Sequence, residues 1–160
     1  LNFFIHDDDR EFGIKKFKLA PDKCFTITYG FELTNAPTAV ERQSAKHFIC
    51  NKYGINAAEK ILLFNGTLDY KPNQDALDII LEKINPLLLA KEHFNYKIII
   101  CGNKLPAAYN NLNGYAAKNI IYAGFVDDIT VFFKGADIFI NPVTDGGGIK
   151  TKLMEALGYV

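Results

Sequence analysis

The stretch ADIFINPVTDGGGIKTKLMEAL, residues 136–157, decides how the chain is read. It begins with a short apolar run, residues 137–141, bounded by Pro142, which is the pattern of a buried strand. Gly146, Gly147 and Gly148 follow, and a helical pattern then opens with Lys150 and Lys152 in its first turn. Glycine lets the backbone approach an anion closely, and the free N–H groups of a helix start point toward it. Lysines at that end oppose the helix dipole, so they are locally unfavourable unless something anionic sits nearby. Strand, glycine loop, helix start and two lysines therefore read together as an anion cradle.

Working outward, the same rhythm of apolar strand followed by glycine recurs upstream. Lys60–Asn65 (KILLFN) runs into Gly66, residues 97–101 (KIIIC) into Gly102, and residues 120–123 (IIYA) into Gly124. Between the first two, Ala76, Leu77, Ile80, Leu81, Ile84 and Leu88 lie at helical spacing, with Asn73 placed to cap the helix and Pro86 to kink or break it. A weaker helix, rich in alanine and asparagine, is expected over residues 106–117, and a short one over 127–134 capped by Asp127-Asp128. Ahead of these, residues 39–53 read as a helix with Val40, Ala45, Phe48 and Ile49 inward and Gly54 as its stop. Four buried strands alternating with helices predict an α/β fold, a doubly wound parallel sheet. Ligands in such sheets bind beyond the carboxyl ends of the strands, near the switch in strand order. Gly66, Gly102, Gly124 and the 146–148 loop would all gather there. No GxGxxG follows the first strand, so the dinucleotide-binding fingerprint is absent.

The first third offers less chemistry. An apolar segment, residues 1–5, precedes His6-Asp7-Asp8-Asp9 and a short helix to Phe17; residues 24–29 alternate like a strand, and 30–37 connect onward. The acidic run reads either as a DxD site for a hard cation or as a helix start with acidic residues in its first turn. The second reading is the simpler one.

Composition bounds the rest. With 160 residues, 49% hydrophobic and 22% charged, the chain is that of an ordinary globular protein. Eighteen basic and eighteen acidic residues cancel, so no global field draws it to nucleic acid and any anion site must be local. No apolar run approaches the roughly 20 residues of a membrane span, and the first residues lack the order of a signal peptide. Cys24, Cys50 and Cys101 are scattered, without CxxC spacing, and read as reduced core fillers.

Three patterns, GTLDYKPNQDAL at 66–77, NIIYAGFVDD at 119–128 and the 136–157 stretch, resemble the C-terminal, donor-binding domain of the group 1 glycosyltransferases. These are retaining enzymes of the GT-B fold that use nucleotide-diphospho sugars. The resemblance covers most of residues 60–157. It implies residues 1–33 as the end of an N-terminal domain with its linker, and 34–160 as a Rossmann-like donor domain that breaks off at the C-terminus. It further implies that Glu155 holds the donor ribose hydroxyls, and that Lys150, Lys152 and the Gly146–Gly148 loop neutralise the diphosphate. Gly66 would make the tight turn facing the donor, and Phe125 and Val126 would meet the nucleobase largely through backbone. No metal and no further cofactor are implied.

Two departures stand out. Relatives often carry Glu-x7-Glu ending at the residue matching Glu155; here the first position is Gly147, with Asp145 nearby as a substitute. The arginine that often follows the first strand is missing, with Leu68 and Asp69 there instead. The expectation is a cytoplasmic enzyme moving a sugar from its nucleotide diphosphate to a glycan or lipid-linked acceptor. A missing domain would bind that acceptor, this chain alone would be inactive, and the full-length enzyme could associate peripherally with a membrane. Two other readings stay open: a nucleotide-sugar epimerase of the same fold, and a nucleotide-binding module without catalysis.

Overall fold

The structure, a computed structural model, describes residues 1–28, 30, 36–145 and 149–159. The loop 146–148 and the expected boundary at residue 33 lie outside the described residues. The chain opens with strand β1 (Asn2–Phe4), helix α1 (Asp7–Phe17) and strand β2 (Cys24–Thr26), and the two strands pair in parallel. His6 caps α1, its Nδ1 accepting from Asp8 N at 3.2 Å, and Asp7, Asp8 and Asp9 occupy the first turn as expected. Asp7 also accepts a 2.6 Å hydrogen bond from the Thr26 hydroxyl, tying α1 to β2.

The main sheet is built from β3 (Lys60–Asn65), β4 (Tyr96–Cys101), β5 (Ile120–Gly124) and β6 (Ile138–Phe139), ordered β5-β4-β3-β6 and all parallel. Helices cover both faces, so the central strands are continuous apolar runs rather than alternating ones. Leu62, Phe64, Ile98 and Ile100 pack with Leu77, Ile80 and Tyr96 on one face. Ile61, Leu63 and Ile99 pack with Ile49, Phe132 and Phe133 on the other. Strand β6, expected over residues 137–141, keeps only two residues because just Ile138 and Phe139 pair with β3. The strand order reverses at β3, which has β4 on one side and β6 on the other.

Helix α2 (Ala39–Tyr53) starts with a reciprocal Thr38–Glu41 capping box and stops at Gly54, whose φ of 65° suits glycine. Its inward face is Ala45, Ile49 and Cys50; Val40 and Phe48, expected inside, are exposed. Pro86 does not break the next helix. Helix α3 (Lys71–Ile79) passes through a π turn (Ile80–Ile84) into α4 (Asn85–Leu89), with Asn85 N donating to Ile80 O. The widened turn makes room for the proline ring and its missing N–H. Residues Ala107–Lys118 form 3₁₀ turns rather than an α-helix, because Asn110, Asn111 and Leu112 adopt left-handed conformations. The short helices α5 (Ile129–Gly135), capped by Asp128, and α6 (Thr151–Leu157) complete the fold. All three cysteines are buried and unbridged. Among the described residues no helix is long and apolar enough to cross a membrane.

Candidate functional site

The glycines that end the strands meet at one edge of the sheet. Gly66 N donates to Cys101 O at 3.1 Å, and Gly102 N donates to Gly124 O at 2.8 Å. A Cβ at Gly102 would lie 1.9 Å from Gly66 O, so the two turns close on each other only because Gly102 has no side chain. Beside them opens a recess of about 280 Å³ lined by Asn65, Gly66, Thr67, Gly102, Phe125 and Val126, among others. Phe125 stands 70% exposed at its side, a free aromatic surface.

A second recess, about 330 Å³, lies where α3 and α6 begin, and its lining includes Tyr70, Asn73, Asp145, Lys150 and Lys152. Lys150 occupies the N-cap position of α6, and its Nζ donates to Asp145 O at 3.0 Å. Lys152 turns inward. Its Nζ donates to Asn65 O at 3.0 Å and Asn73 Oδ1 at 2.7 Å, and it sits 4.8 Å from the centre of the buried Phe64 ring. Burial, then the like charge of Lys150, lowers its ammonium pKa to about 8. No described carboxylate forms an ion pair with it. Lys152 is therefore not the solvated surface lysine that a charge pair on a helix usually provides. It also does not bridge to Glu155, which is exposed on α6. Asp145 is exposed as well, and Gly146, Gly147 and Gly148 lie outside the described residues.

Asn73 does not cap α3. The helix begins two residues earlier, with Tyr70 as N-cap and Pro72 in the first turn, where proline's fixed φ suits a helix start. Asn73 is instead buried, and its Nδ2 donates back to Thr67 O at 2.9 Å. Two further carboxamides that pattern reading passed over lie at the switch point, Asn65 at the end of β3 and Asn141 two residues past β6. Asn65 Oδ1 and Asn141 Oδ1 are buried without a hydrogen-bond partner. Their signal was a polar residue closing an apolar run on each side of the reversal. Among the described residues, no group of three or more histidine, cysteine or carboxylate side chains is arranged to hold a metal ion.

The fold and this edge fit a known class. The family described as Glycosyl transferases group 1 matches residues 59–159, and the chain belongs to it. A curated relative, "Uncharacterized 44.6 kDa protein in cps region" of Klebsiella pneumoniae, is 31% identical over 103 residues, 60% of this chain and 26% of that protein. Among solved structures, a glycosyltransferase from Rickettsia africae ESF-5 superposes with TM-score 0.71 at 16% identity, over 98% of this chain and 41% of that one. WaaG, a glycosyltransferase involved in lipopolysaccharide biosynthesis, superposes with TM-score 0.65 at 16% identity and the same coverage. The chain thus spans about a quarter of the curated relative and two fifths of the solved structures. Both solved structures share its Rossmann-like half of the GT-B fold.

Proposed function

We propose that the chain is the C-terminal, donor-binding half of a retaining glycosyltransferase that uses a nucleotide-diphospho sugar. The observation that carries the reading is Lys152, an inward-turned ammonium with no carboxylate partner among the described residues, where β3 and β6 diverge. A cation kept there at a cost in solvation calls for an anion, and a diphosphate is the anion this class of donor supplies. Charge grows on the leaving diphosphate in the transition state, so Lys152, with Lys150, would lower the barrier where the sugar departs. The glycine-edged recess beside Phe125 and Val126 would take the base, and Glu155 the ribose. An acceptor among cell-surface glycans or lipid-linked saccharides is supported by the cps-region relative and the lipopolysaccharide role of WaaG; a cytoplasmic place of action belongs to the same reading.

Calorimetric titration with UDP, GDP and ADP tests the reading. One diphosphate should bind, and a Lys150→Ala, Lys152→Ala double variant should bind it at least about tenfold more weakly, the effect of losing two charge-assisted contacts. Equal affinity in the double variant would remove the diphosphate from this cleft.

A further inference from the structure

Among the described residues, Asn73 and Asn85 are the only charged or amide residues buried as whole residues. Asn85 is accounted for by packing: its Nδ2 donates to Lys118 O at 2.9 Å, and its Oδ1 accepts from Tyr96 Oη at 2.7 Å. Asn73 faces the cleft. Its carboxamide presents opposite polarities to two partners that cannot be exchanged. Nδ2 must face the Thr67 carbonyl, a pure acceptor, and Oδ1 must face the Lys152 ammonium, a pure donor. The same group fills the space over Gly66, where a Cβ would come within 2.7 Å of Nδ2. One side chain thus touches both the turn after β3, six residues before it, and the cation from α6, 79 residues after it.

We infer that Asn73 is the positioning residue of the diphosphate site, fixing the Lys152 ammonium against the Gly66–Thr67 turn. This rests on the reading of the cleft proposed above. The side chain need not touch the ligand; it acts through Lys152. Aspartate at this position keeps an acceptor but sets a charge against the ammonium, whereas leucine keeps the volume and removes the acceptor. A role in packing alone would weaken the fold in both variants and leave the lysine's titration unmoved.

The test reads the lysine directly in the ligand-free chain. Selective ¹³Cε labelling of lysine followed by NMR gives the titration midpoint of Lys152 with its N–H donors intact, assigned by the signal lost in Lys152→Arg. Asn73→Asp should raise the midpoint by about one unit or more, and Asn73→Leu should lower it, the opposite shifts expected for a gained charge and a lost acceptor. Lys150, Asp145 and the Lys71–Asp75 ion pair are common to all variants, so the difference reports residue 73. If either variant fails to fold by circular dichroism, Asn73→Thr, whose shorter hydroxyl falls away from the ammonium, should lower the midpoint in the same sense as leucine. Midpoints in folded variants equal to that of the unaltered chain would overturn the inference. The same proteins are titrated with UDP, GDP and ADP, where Asn73→Leu should lose roughly tenfold in affinity. If the unaltered chain binds none of the three, the cleft reading fails and the positioning role with it. Binding that persists with unmoved midpoints sinks the positioning role alone.

Discussion

Gly102 has no room for a methyl group, since its Cβ would overlap Gly66 O at 1.9 Å and its φ is 155°. Gly102→Ala should therefore cost about 2 kcal/mol or more, read from urea unfolding, because only backbone movement relieves the contact. Lys152 gives a prediction with a sign. Its ammonium titrates near 8 in the folded chain against 10.5 when free, so the folded chain holds that proton less tightly. Stability of the ligand-free chain should then rise with pH between those two values. Diphosphate affinity should do the reverse, weakening above about pH 8 as the cation is lost; a flat calorimetric profile from pH 7 to 9.5 would contradict this. At this scale the sequence was partly legible. Two lysines at a helix start conflict with its dipole, and that conflict shows in any sequence. The partners of Lys152 do not, because Asn65 and Asn73 reach it only through the folding of distant segments.

Helices α2 and α5 cross where Gly135 meets Ala45 and Lys46. A Cβ at Gly135 would stand 2.8 Å from Ala45 C and Lys46 N, and 2.7 Å from Ile49 Cδ1. Gly135→Ala should push the helices apart and cost roughly 2 kcal/mol in thermal or urea unfolding; an unchanged midpoint would mean that α5 is free to shift. At the opposite edge of the sheet from the cleft, Asp137 joins three elements, accepting from Lys46 Nζ at 2.8 Å, Lys60 Nζ at 3.1 Å and Ile61 N at 2.8 Å. Burial alone would raise its carboxyl, but the hydrogen bonds from Lys46, Ile61 and Lys60 outweigh that and hold it below its ordinary 3.8. Its stabilisation is complete above that value and lost as pH falls through the lower folded one. Asp137→Ala should thus cost about 2 kcal/mol at neutral pH, with the gap from the unaltered chain closing below about pH 4. Elements were legible where apolar period and glycine punctuation agreed, as in β3, β4 and β5. They were not where rotation decided the outcome. The inward face of α2 is set by the close approach to Gly135, which brings Ala45 and Ile49 inward and leaves Val40 and Phe48 outside.

The doubly wound architecture was legible because it is a repeated local pattern, four apolar runs separated by helical ones. Strand order was not, since no residue in β6 announces that it will pair with β3 rather than with β5. That pairing creates the switch point and gathers both recesses along one carboxyl edge. Every described residue of the two recesses comes from that edge, so the described residues form one wall of a cleft. If a donor is held there as proposed, transfer would need a second wall to orient the acceptor and exclude water. The small β1–α1–β2 unit does not supply it, and its Phe3, Phe12, Phe17 and Phe25 are themselves exposed. The 160-residue chain should therefore bind a nucleotide diphosphate yet release none from the matching nucleotide sugar above the uncatalysed rate, with or without saccharide acceptors. A chain extended to the length of its solved relatives should release it with an acceptor present. Diphosphate release followed by mass spectrometry decides the point. Acceptor-dependent turnover by the 160 residues alone would show that one wall suffices and that the acceptor binds on this half.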